Sequence, residues 1–439
     1  IDQTLQVIDG VFAFILIDID TNKIFVARDT YGVRPLFTVT SEMCHTFGFS
    51  SEIKMMHDLN KYSQLKFTQF PPGHYLECEY SNSKWESRFV YNCFSSANAF
   101  TNPLIGEHNV LETIRNSLIY AVQKRVDNTD REIACLLSGG LDSSLITAIV
   151  ANSMDNPKNL TTWSIGMEGS EDLKYAKMVA NHLGTNHNEI LLYESDFLKA
   201  IPEVIRAIES YDTTTVRASV GNWLVSKFIK EKSNAKVVFN GDGSDEVTGG
   251  YMYFHLAENE IEFDKECRRL LSQIHFFDVL RSDRSISSHG LEARTPFLDR
   301  NFVATYLSIP PKFRYHPNNG KVEKYLLRKA FDSTELLPKE VLWRTKEAFS
   351  DGVSKMTRSW FEIIQEEALA KGFGSDLKTA EKKWYYKIFS EYYGKNNDNV
   401  IPYFWMPKYV DADDASARTL KIYSKQMTNT SELECSSNK

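Results

Sequence analysis

Apolar positions change their spacing once along this chain, and the change divides it. From residue 10 to about 94 they come in short runs: Val11-Phe12-Ala13-Phe14-Ile15-Leu16-Ile17, Lys23-Ile24-Phe25-Val26-Ala27 and His45-Thr46-Phe47-Gly48-Phe49. Turn formers such as Asp20-Thr21-Asn22 and Pro71-Pro72-Gly73 stand between such runs, so the segment reads as mostly β. A stretch over 95–108, rich in Ser, Asn, Thr, Pro and Gly and without periodicity, is the expected domain boundary.

Beyond it, apolar residues at 110, 111, 114, 118, 119 and 122 share one face of a helix. A strand is predicted over 133–137, then a helix over 145–151, a strand over 161–167, a helix over 172–183 stopped by Gly184, and a strand over 189–192. A longer helical region leads to a further strand at 236–239. Short apolar strands alternating with helices imply right-handed crossovers and a doubly wound parallel sheet, which binds ligands at the carboxyl ends of its strands. The rest, to about 410, reads mostly helical. From Asp411 the chain is rich in Ser, Asn, Asp and Lys and reads as a frayed tail. The expected division is therefore 1–100, 101–410 and 411–439.

Composition narrows the classes. At 439 residues the chain exceeds what one hydrophobic core organises, which fits two domains. With 42% hydrophobic and 25% charged residues it is an ordinary globular sequence. A net charge of -7, from 51 basic and 58 acidic residues, argues against an extended nucleic-acid face. The longest apolar run, 11–17, is about a third of the ~20 residues a membrane span needs, and no signal peptide is visible. The chain starts at Ile1 and enters a strand-like pattern at once, which reads as a beginning lost or processed. Its 6 cysteines, at 44, 78, 93, 135, 267 and 435, include no CxxC pair, so reduced thiols in a cytoplasm are expected. Cys135, among apolar neighbours, reads as a small buried hydrophobe.

Three segments carry chemistry. Ser138-Gly139-Gly140-Leu141-Asp142-Ser143-Ser144 directly follows the first parallel-type strand and precedes a helix. Two glycines let the backbone approach an anion, three hydroxyls add donors, and the helix turns its positive end to the same point: a phosphate cradle. It lacks the lysine of a Walker A loop, and Asp142 beside a polyphosphate calls for a bridging metal, Mg²⁺ being the usual one. The plainer alternative is a glycine-rich turn with Asp142 as a helix cap. The second segment, Asn240-Gly241-Asp242-Gly243-Ser244-Asp245-Glu246, leaves the strand at 236–239 with three carboxylates in five residues. It could supply a second metal ligand and groups that position a carboxylic substrate, where the alternative is a solvated turn. The third, Trp343-Arg344-Thr345-Lys346-Glu347-Ala348-Phe349-Ser350-Asp351-Gly352, has little helical periodicity and looks like an active-site loop, although by composition alone Lys346 reads as a surface lysine.

Taken in this order, together with Asp172-Leu173-Lys174-Tyr175-Ala176-Lys177 and Gly290-Leu291-Glu292-Ala293-Arg294-Thr295-Pro296-Phe297-Leu298-Asp299, these segments closely resemble glutamine-hydrolysing asparagine synthetase over nearly the whole chain. The resemblance implies an α/β protein: a mostly β remnant of an N-terminal nucleophile glutaminase domain, then a doubly wound ATP-pyrophosphatase synthetase domain. It implies that Leu136, Ile165, Asn240 and Gly241 line the AMP site, that Ser138, Gly139, Gly140, Asp142, Ser143 and Ser144 hold pyrophosphate, and that Asp142 and Asp245 bind Mg²⁺. Lys346 matches the lysine that meets departing pyrophosphate. Asp242 stands where the family has a glutamate linked to forming the β-aspartyl-adenylate. Glu246, Tyr251, Asp278 and Arg281 match positions around that intermediate, with Arg281 suited to a bidentate contact with the α-carboxylate of aspartate. The implied substrates are aspartate, ATP and ammonia or glutamine, with no nucleic acid and no membrane, and a homodimer is left open.

Two departures stand out. Asn240 and Asp242 replace the family's usual Ser and Glu; the shorter acid retracts its carboxylate by one methylene, so slower turnover is expected. Arg28-Asp29-Thr30-Tyr31-Gly32-Val33-Arg34-Pro35-Leu36-Phe37, Ser51-Glu52-Ile53-Lys54 and Phe70-Pro71-Pro72-Gly73-His74-Tyr75 match only the later part of the glutaminase domain. Its terminal nucleophilic cysteine and glutamine-binding motifs have no counterpart, and Cys44, Cys78 and Cys93 do not occupy that place. Ammonia is thus the nitrogen donor expected for the chain as it stands. The competing readings are a related amide-forming ligase acting on another carboxylate, and a non-catalytic relative.

Overall fold

A computed structural model of the chain describes residues 1–41, 46–56, 65–81, 84–91, 107–317, 321–346, 349–355, 357–394, 397, 400–412 and 414–420. The first part opens with helix α1 (Asp2–Val7) and continues as strands β1 (Ala13–Asp18), β2 (Lys23–Arg28), β3 (Phe37–Ser41), β4 (Thr46–Ser50), β5 (Lys66–Gln69), β6 (His74–Ser81) and β7 (Lys84–Tyr91). These form two antiparallel sheets, ordered β1-β2-β6-β7 and β4-β3-β5. The mostly β expectation holds. Of the boundary expected over 95–108, residues 95–106 lie outside the described residues and 107 and 108 already belong to a helix.

Helix α2 (Glu107–Asp127) then leads into strand β8 (Ile133–Leu136), α3 (Leu141–Asn152), β9 (Thr161–Met167), α4 (Glu171–Leu183), β10 (Asn186–Leu192), α5 (Glu194–Ile208), α6 (Thr213–Lys232) and β11 (Val237–Phe239). After α7 (Ser244–Thr248), α8 (Glu260–Gln273) and α9 (Asp278–Ser287) comes a last strand, β12 (Glu292–Arg294). The five strands β8 to β12 make one parallel sheet in the order β10-β9-β8-β11-β12.

Alternation along the strands explains the layering. Ile133, Cys135 and Leu137 pack into one apolar cluster and Ala134 into another; Val237 and Phe239 join the first, Val238 the second. Strands apolar on both faces must be covered on both, and α2, α3 and α4 lie with the first cluster while α5 and α6 lie with the second. Cys135 is fully buried, and burial pushes its thiol up to about 12, so it is the inert core residue its neighbours suggested. Among the described residues no helix is long and apolar enough to cross a membrane.

Buried ion pairs join the first part to the second. Arg284 on α9 donates to Glu52 Oε1 at 2.6 Å, to the Ser51 carbonyl at 2.6 Å and to Glu209 Oε2 at 2.8 Å. Glu209 also accepts the Ile53 and Lys54 amides, both at 2.9 Å, and Arg34 pairs with Asp283 at 2.5 Å.

The segment expected to be mostly helical is so, and adds strand β12, which escapes a reading by apolar runs because two of its three residues, Glu292 and Arg294, are charged. The frayed tail expected from Asp411 does not describe 414–420, where Ser416 and Leu420 are buried and Ala417–Thr419 forms a 3-10 turn; 421–439 lies outside the described residues.

On β10, His187 lies between Thr162 Oγ1, 3.0 Å from Nδ1, and Ser164 Oγ, 3.2 Å from Nε2. Burial, helped by Lys177, lowers its pKa from 6.5 to about 4. The unfolded imidazole therefore binds a proton through a window where the folded one does not, so this group's contribution to stability falls as pH drops from 6.5 towards 4. Urea unfolding across that window should show a shallower loss for His187→Asn than for the parent chain. Equal slopes would mean that His187 titrates alike in both states.

Candidate active site

Along the parallel sheet the chain order runs outward from β8 in one direction and from β11 in the other, so the order reverses between these two neighbours. A crevice opens at such a reversal, outside the strand ends, and both carboxylate-bearing loops leave from it. They touch: a Cβ on Gly241 would lie 2.8 Å from the Asp142 backbone carbon and its Cβ.

The first loop is drawn tight by its own hydroxyls. The Ser138 amide donates to Ser143 Oγ at 3.2 Å, the two hydroxyl oxygens lie 3.0 Å apart, and Ser143 Oγ donates to the Gly140 carbonyl at 3.3 Å. Gly140 caps α3, whose first turn carries Asp142. Gly139 has φ +78°, and a Cβ there would meet the Tyr175 side chain and the Ala176 amide of α4 at 2.5 Å. Gly139 itself stays out of the cavity wall, and so does Ser144, which is fully buried with no hydrogen-bond partner for its Oγ among the described residues. The expected hydroxyl donors thus reduce to Ser138 and Ser143.

The second loop meets the first through charge. Asp142 Oδ1 accepts from Ser244 Oγ at 2.8 Å, and Asp142 Oδ2 lies 2.5 Å from Lys324 Nζ. Lys324, 2% exposed, also lies 2.6 Å from Asp245 Oδ1, and Asp245 Oδ2 lies 2.6 Å from Lys346 Nζ. Asp142, Lys324, Asp245 and Lys346 thus form a row of alternating charge. Burial works against the charge on Asp245, but Lys324 and Lys346 overcome it and hold its carboxyl well below the usual range. Burial likewise opposes the charge on Lys346, and Asp245 with Asp142 raises its pKa above the ordinary value. Gly250 makes room for the row, since a Cβ there would stand 2.0 Å from Lys324 Cε and 2.2 Å from Asp245 Oδ1.

A second cluster adjoins it. Arg281 donates from one guanidinium nitrogen to Asp242 Oδ1 at 3.0 Å and to Asp278, leaving the rest of its fork for another carboxylate. Burial raises Asp278 to about 6 against the pull of Arg281. Burial also pushes Glu246 well above the usual carboxylate range, with Asp278 and Asp245 adding to it, while Tyr251 donates to Glu246 Oε1 at 2.5 Å. Asp242 Oδ2 and Glu246 Oε2 are buried without a hydrogen-bond partner among the described residues, and both side chains line the cavity. Unpaired buried carboxylate oxygens are costly, and a ligand donor arriving there removes the cost. The Asn240 amide is engaged within the protein, donating to Ser282 Oγ at 2.7 Å and accepting the Asp242 amide at 3.2 Å. It props the loop while lining the cavity.

Leu136, Ile165, Asn240 and Gly241 reach the same cavity as Asp142, Asp242, Asp245, Glu246, Tyr251, Asp278, Arg281 and Lys346. Sequence reasoning missed Lys324, Arg217 and the wall made by Trp405, Ser416 and Leu420, and named Arg344 only as part of the third segment. Arg344 joins the third segment to the first, donating to the Gly139 carbonyl at 3.2 Å and to Asp172 at 3.0 Å with its guanidinium 4.1 Å from the Tyr175 ring centre. Arg217 had a signal, being a charge set among apolar positions of α6. Lys324 had none, because no spacing ties it to either loop. Among the described residues no group of three or more His, Cys, Asp and Glu side chains gathers as a metal site. Two carboxylates do converge on one cation, however, and an oxygen-only pair completed by phosphate and water suits Mg²⁺.

A family model described as asparagine synthase matches residues 113–262 and 256–408, and one described as a glutamine amidotransferase domain matches 1–58. The chain is 43% identical to asparagine synthetase (glutamine-hydrolyzing) of Gallus gallus, over 96% of this chain and 80% of that protein. Against the protein of that name from Homo sapiens the identity is 42%, over the same shares of 96% and 80%.

Gly139→Ala and Gly184→Ala separate the two demands on the first loop. Both glycines have positive φ, at +78° and +70°, but nothing lies within 4 Å of a Cβ on Gly184. Each substitution should cost about 1–2 kcal/mol for the left-handed backbone, and Gly139→Ala should cost more because it also collides with α4. Denaturant unfolding of both variants measures the difference, and equal losses would remove the steric argument.

Proposed function

Because the chain belongs to the asparagine synthase family of ligases, we propose that its cavity uses ATP to adenylate the side-chain carboxylate of aspartate and passes the acyl group to ammonia. An oxygen of that carboxylate attacks the α-phosphorus, and the bond to the bridging oxygen of pyrophosphate breaks. The ammonia lone pair then attacks the acyl carbon, the bond to the AMP oxygen breaks, and the nitrogen gives up a proton. Asparagine, AMP and pyrophosphate leave.

The observation that carries this reading is the row Asp142, Lys324, Asp245 and Lys346 beneath a phosphate-type loop at the sheet's reversal point. Leu136 and Ile165 offer apolar surface to the adenosine, and Ser138, Ser143 and the first turn of α3 offer donors to the pyrophosphate. Lys346, held cationic, faces charge that grows as pyrophosphate departs, and such a group lowers the barrier more than it tightens binding. Asp142 and Asp245 would hold Mg²⁺, which would neutralise phosphate charge when bound. Arg281 fits the α-carboxylate of aspartate, and the unpartnered oxygens of Asp242 and Glu246 fit donors: the substrate's ammonium group and the incoming nitrogen. The unpartnered Oδ2 of Asp242 supports assigning it the proton from that nitrogen. Cys78, Cys135 and Cys267, the described cysteines, are buried free thiols, which supports a cytoplasmic setting.

Aspartate labelled with ¹⁸O in its side-chain carboxylate, incubated with ATP, Mg²⁺ and ammonium, should deliver one ¹⁸O to AMP. Label in pyrophosphate or inorganic phosphate instead would rule out the adenylate. Lys346→Met should lower kcat about 10²–10³-fold with little change in the KM for ATP. A change confined to KM would make Lys346 a ground-state binder only.

Asp242→Ala should lower ammonia-dependent turnover about 10²-fold, while Asp242→Glu should keep or raise it by restoring the longer reach. Wild-type turnover in Asp242→Ala would take this carboxylate out of the chemistry.

A further inference from the structure

One buried charge cluster is left unused by the reaction as proposed. Arg217 on α6, 5% exposed, donates to Glu381 through Nε at 2.8 Å and Nη2 at 2.5 Å, and to Asp414 through Nη1 at 2.7 Å and Nη2 at 2.8 Å. Glu381 alone would neutralise it. Asp414 adds a second negative charge where charge is costly, and it takes a further bond from Gln365 Nε2 at 2.9 Å. The extra carboxylate does not balance charge, so its contribution is mechanical: it fastens the chain around it.

Asp414 opens the segment 414–420, which is tied down along its length. Ser416 Oγ donates to Asp351 Oδ1 at 2.9 Å, Arg418 Nη1 to the Lys355 carbonyl at 3.0 Å, and Leu420, 4% exposed, packs with Tyr253, Phe254, Phe263 and Trp405. Between these anchors Ala415, Ser416, Ala417 and Leu420 form part of the wall of the cavity that holds Asp142 and Lys346. Asp351 belongs to the short helix Phe349–Gly352, close after Lys346 in the chain. The bond from Ser416 therefore reaches the polypeptide that presents the lysine.

We propose that residues 414–420 are a strap over the synthetase cavity and that Asp414 is its buckle, a positioning residue for the reaction. Held by Arg217, the strap fixes the helix Phe349–Gly352 through Ser416 and Asp351, keeps Lys346 in place against Asp245, and walls the bound nucleotide from water. The identity of the enclosed ligand rests on the function proposed above; the mechanical link does not.

Asp414→Ala tests this because Arg217 keeps Glu381 as its counterion, so the core stays neutral while the buckle opens. Ser416→Ala cuts the link to Asp351 and the cap that Ser416 Oγ gives the Arg418 amide, and leaves the contact of Arg217 with Asp414 in place. Hydrogen exchange at 343–346 and 349–355 should speed up about tenfold in both variants. In Asp414→Ala kcat should fall about tenfold as Lys346 loses its place, with a smaller rise in the KM for ATP as the wall loosens, and Asp414→Asn, which keeps one acceptor for Arg217, should recover part of both changes. Unchanged exchange in both variants overturns the strap, as does a lower Tm with KM and kcat untouched. If Asp414→Ala does not fold, exchange in Ser416→Ala decides alone. If the parent chain makes no asparagine, the proposed function fails while the exchange data still judge the strap.

Discussion

Four charges in a row, Asp142, Lys324, Asp245 and Lys346, are what the synthetase site is built around. Each loses hydration on folding, and each recovers the loss only because its neighbours carry the opposite sign. The row dictates where its carriers must be: Asp142 in the first turn of α3, Asp245 in the first turn of α7, Lys324 just before the helix Tyr325–Phe331, and Lys346 beyond the helix Lys339–Leu342. Four segments far apart in sequence are thereby drawn to the gap between β8 and β11. The sheet supplies the gap, and the charges decide what closes over it.

If the cavity takes ATP as proposed, alternating sign sets the terms on which a polyanion enters it. A pocket lined by lysines alone would bind any phosphate, and one lined by aspartates alone would repel them all. Here each cation has its own carboxylate, so an incoming anion must be accompanied by positive charge or must compete for the lysines. The neighbouring cluster of Arg281, Asp242, Asp278, Glu246 and Tyr251 works differently. Burial and neighbouring acids raise Asp278 and Glu246, while Asp242 and Glu246 each present an unpaired oxygen, an arrangement that suits the zwitterionic substrate proposed above.

Much of this was legible from residues alone, and the limits have physical reasons. Strands β8 and β11 announced themselves because, buried on both faces, they are unbroken apolar runs. Strand β12 did not, because a three-residue strand ending its sheet can carry Glu292 and Arg294. The loop 138–144 was recognisable by composition and place, yet composition cannot say which way a hydroxyl turns. Ser144 proved to face the core and Asn240 to brace its own loop. Lys324 stayed invisible since its partners lie 182 residues away in one case, a relation that only folding creates. The segment 414–420 misled by being polar: its polar atoms are spent on Arg217 and Asp351 rather than on water.

Gly139, Gly241 and Gly250 are among the points where backbone meets backbone or a buried side chain too closely for a Cβ. They lie at α4, at Asp142 and at the Lys324–Asp245 contact, so the frame of the site has no slack on three sides. A larger residue at any of these glycines must move main chain or a buried side chain, whereas side chains that face the open cavity can be exchanged without moving either. The frame of the cavity and its lining can therefore be altered separately.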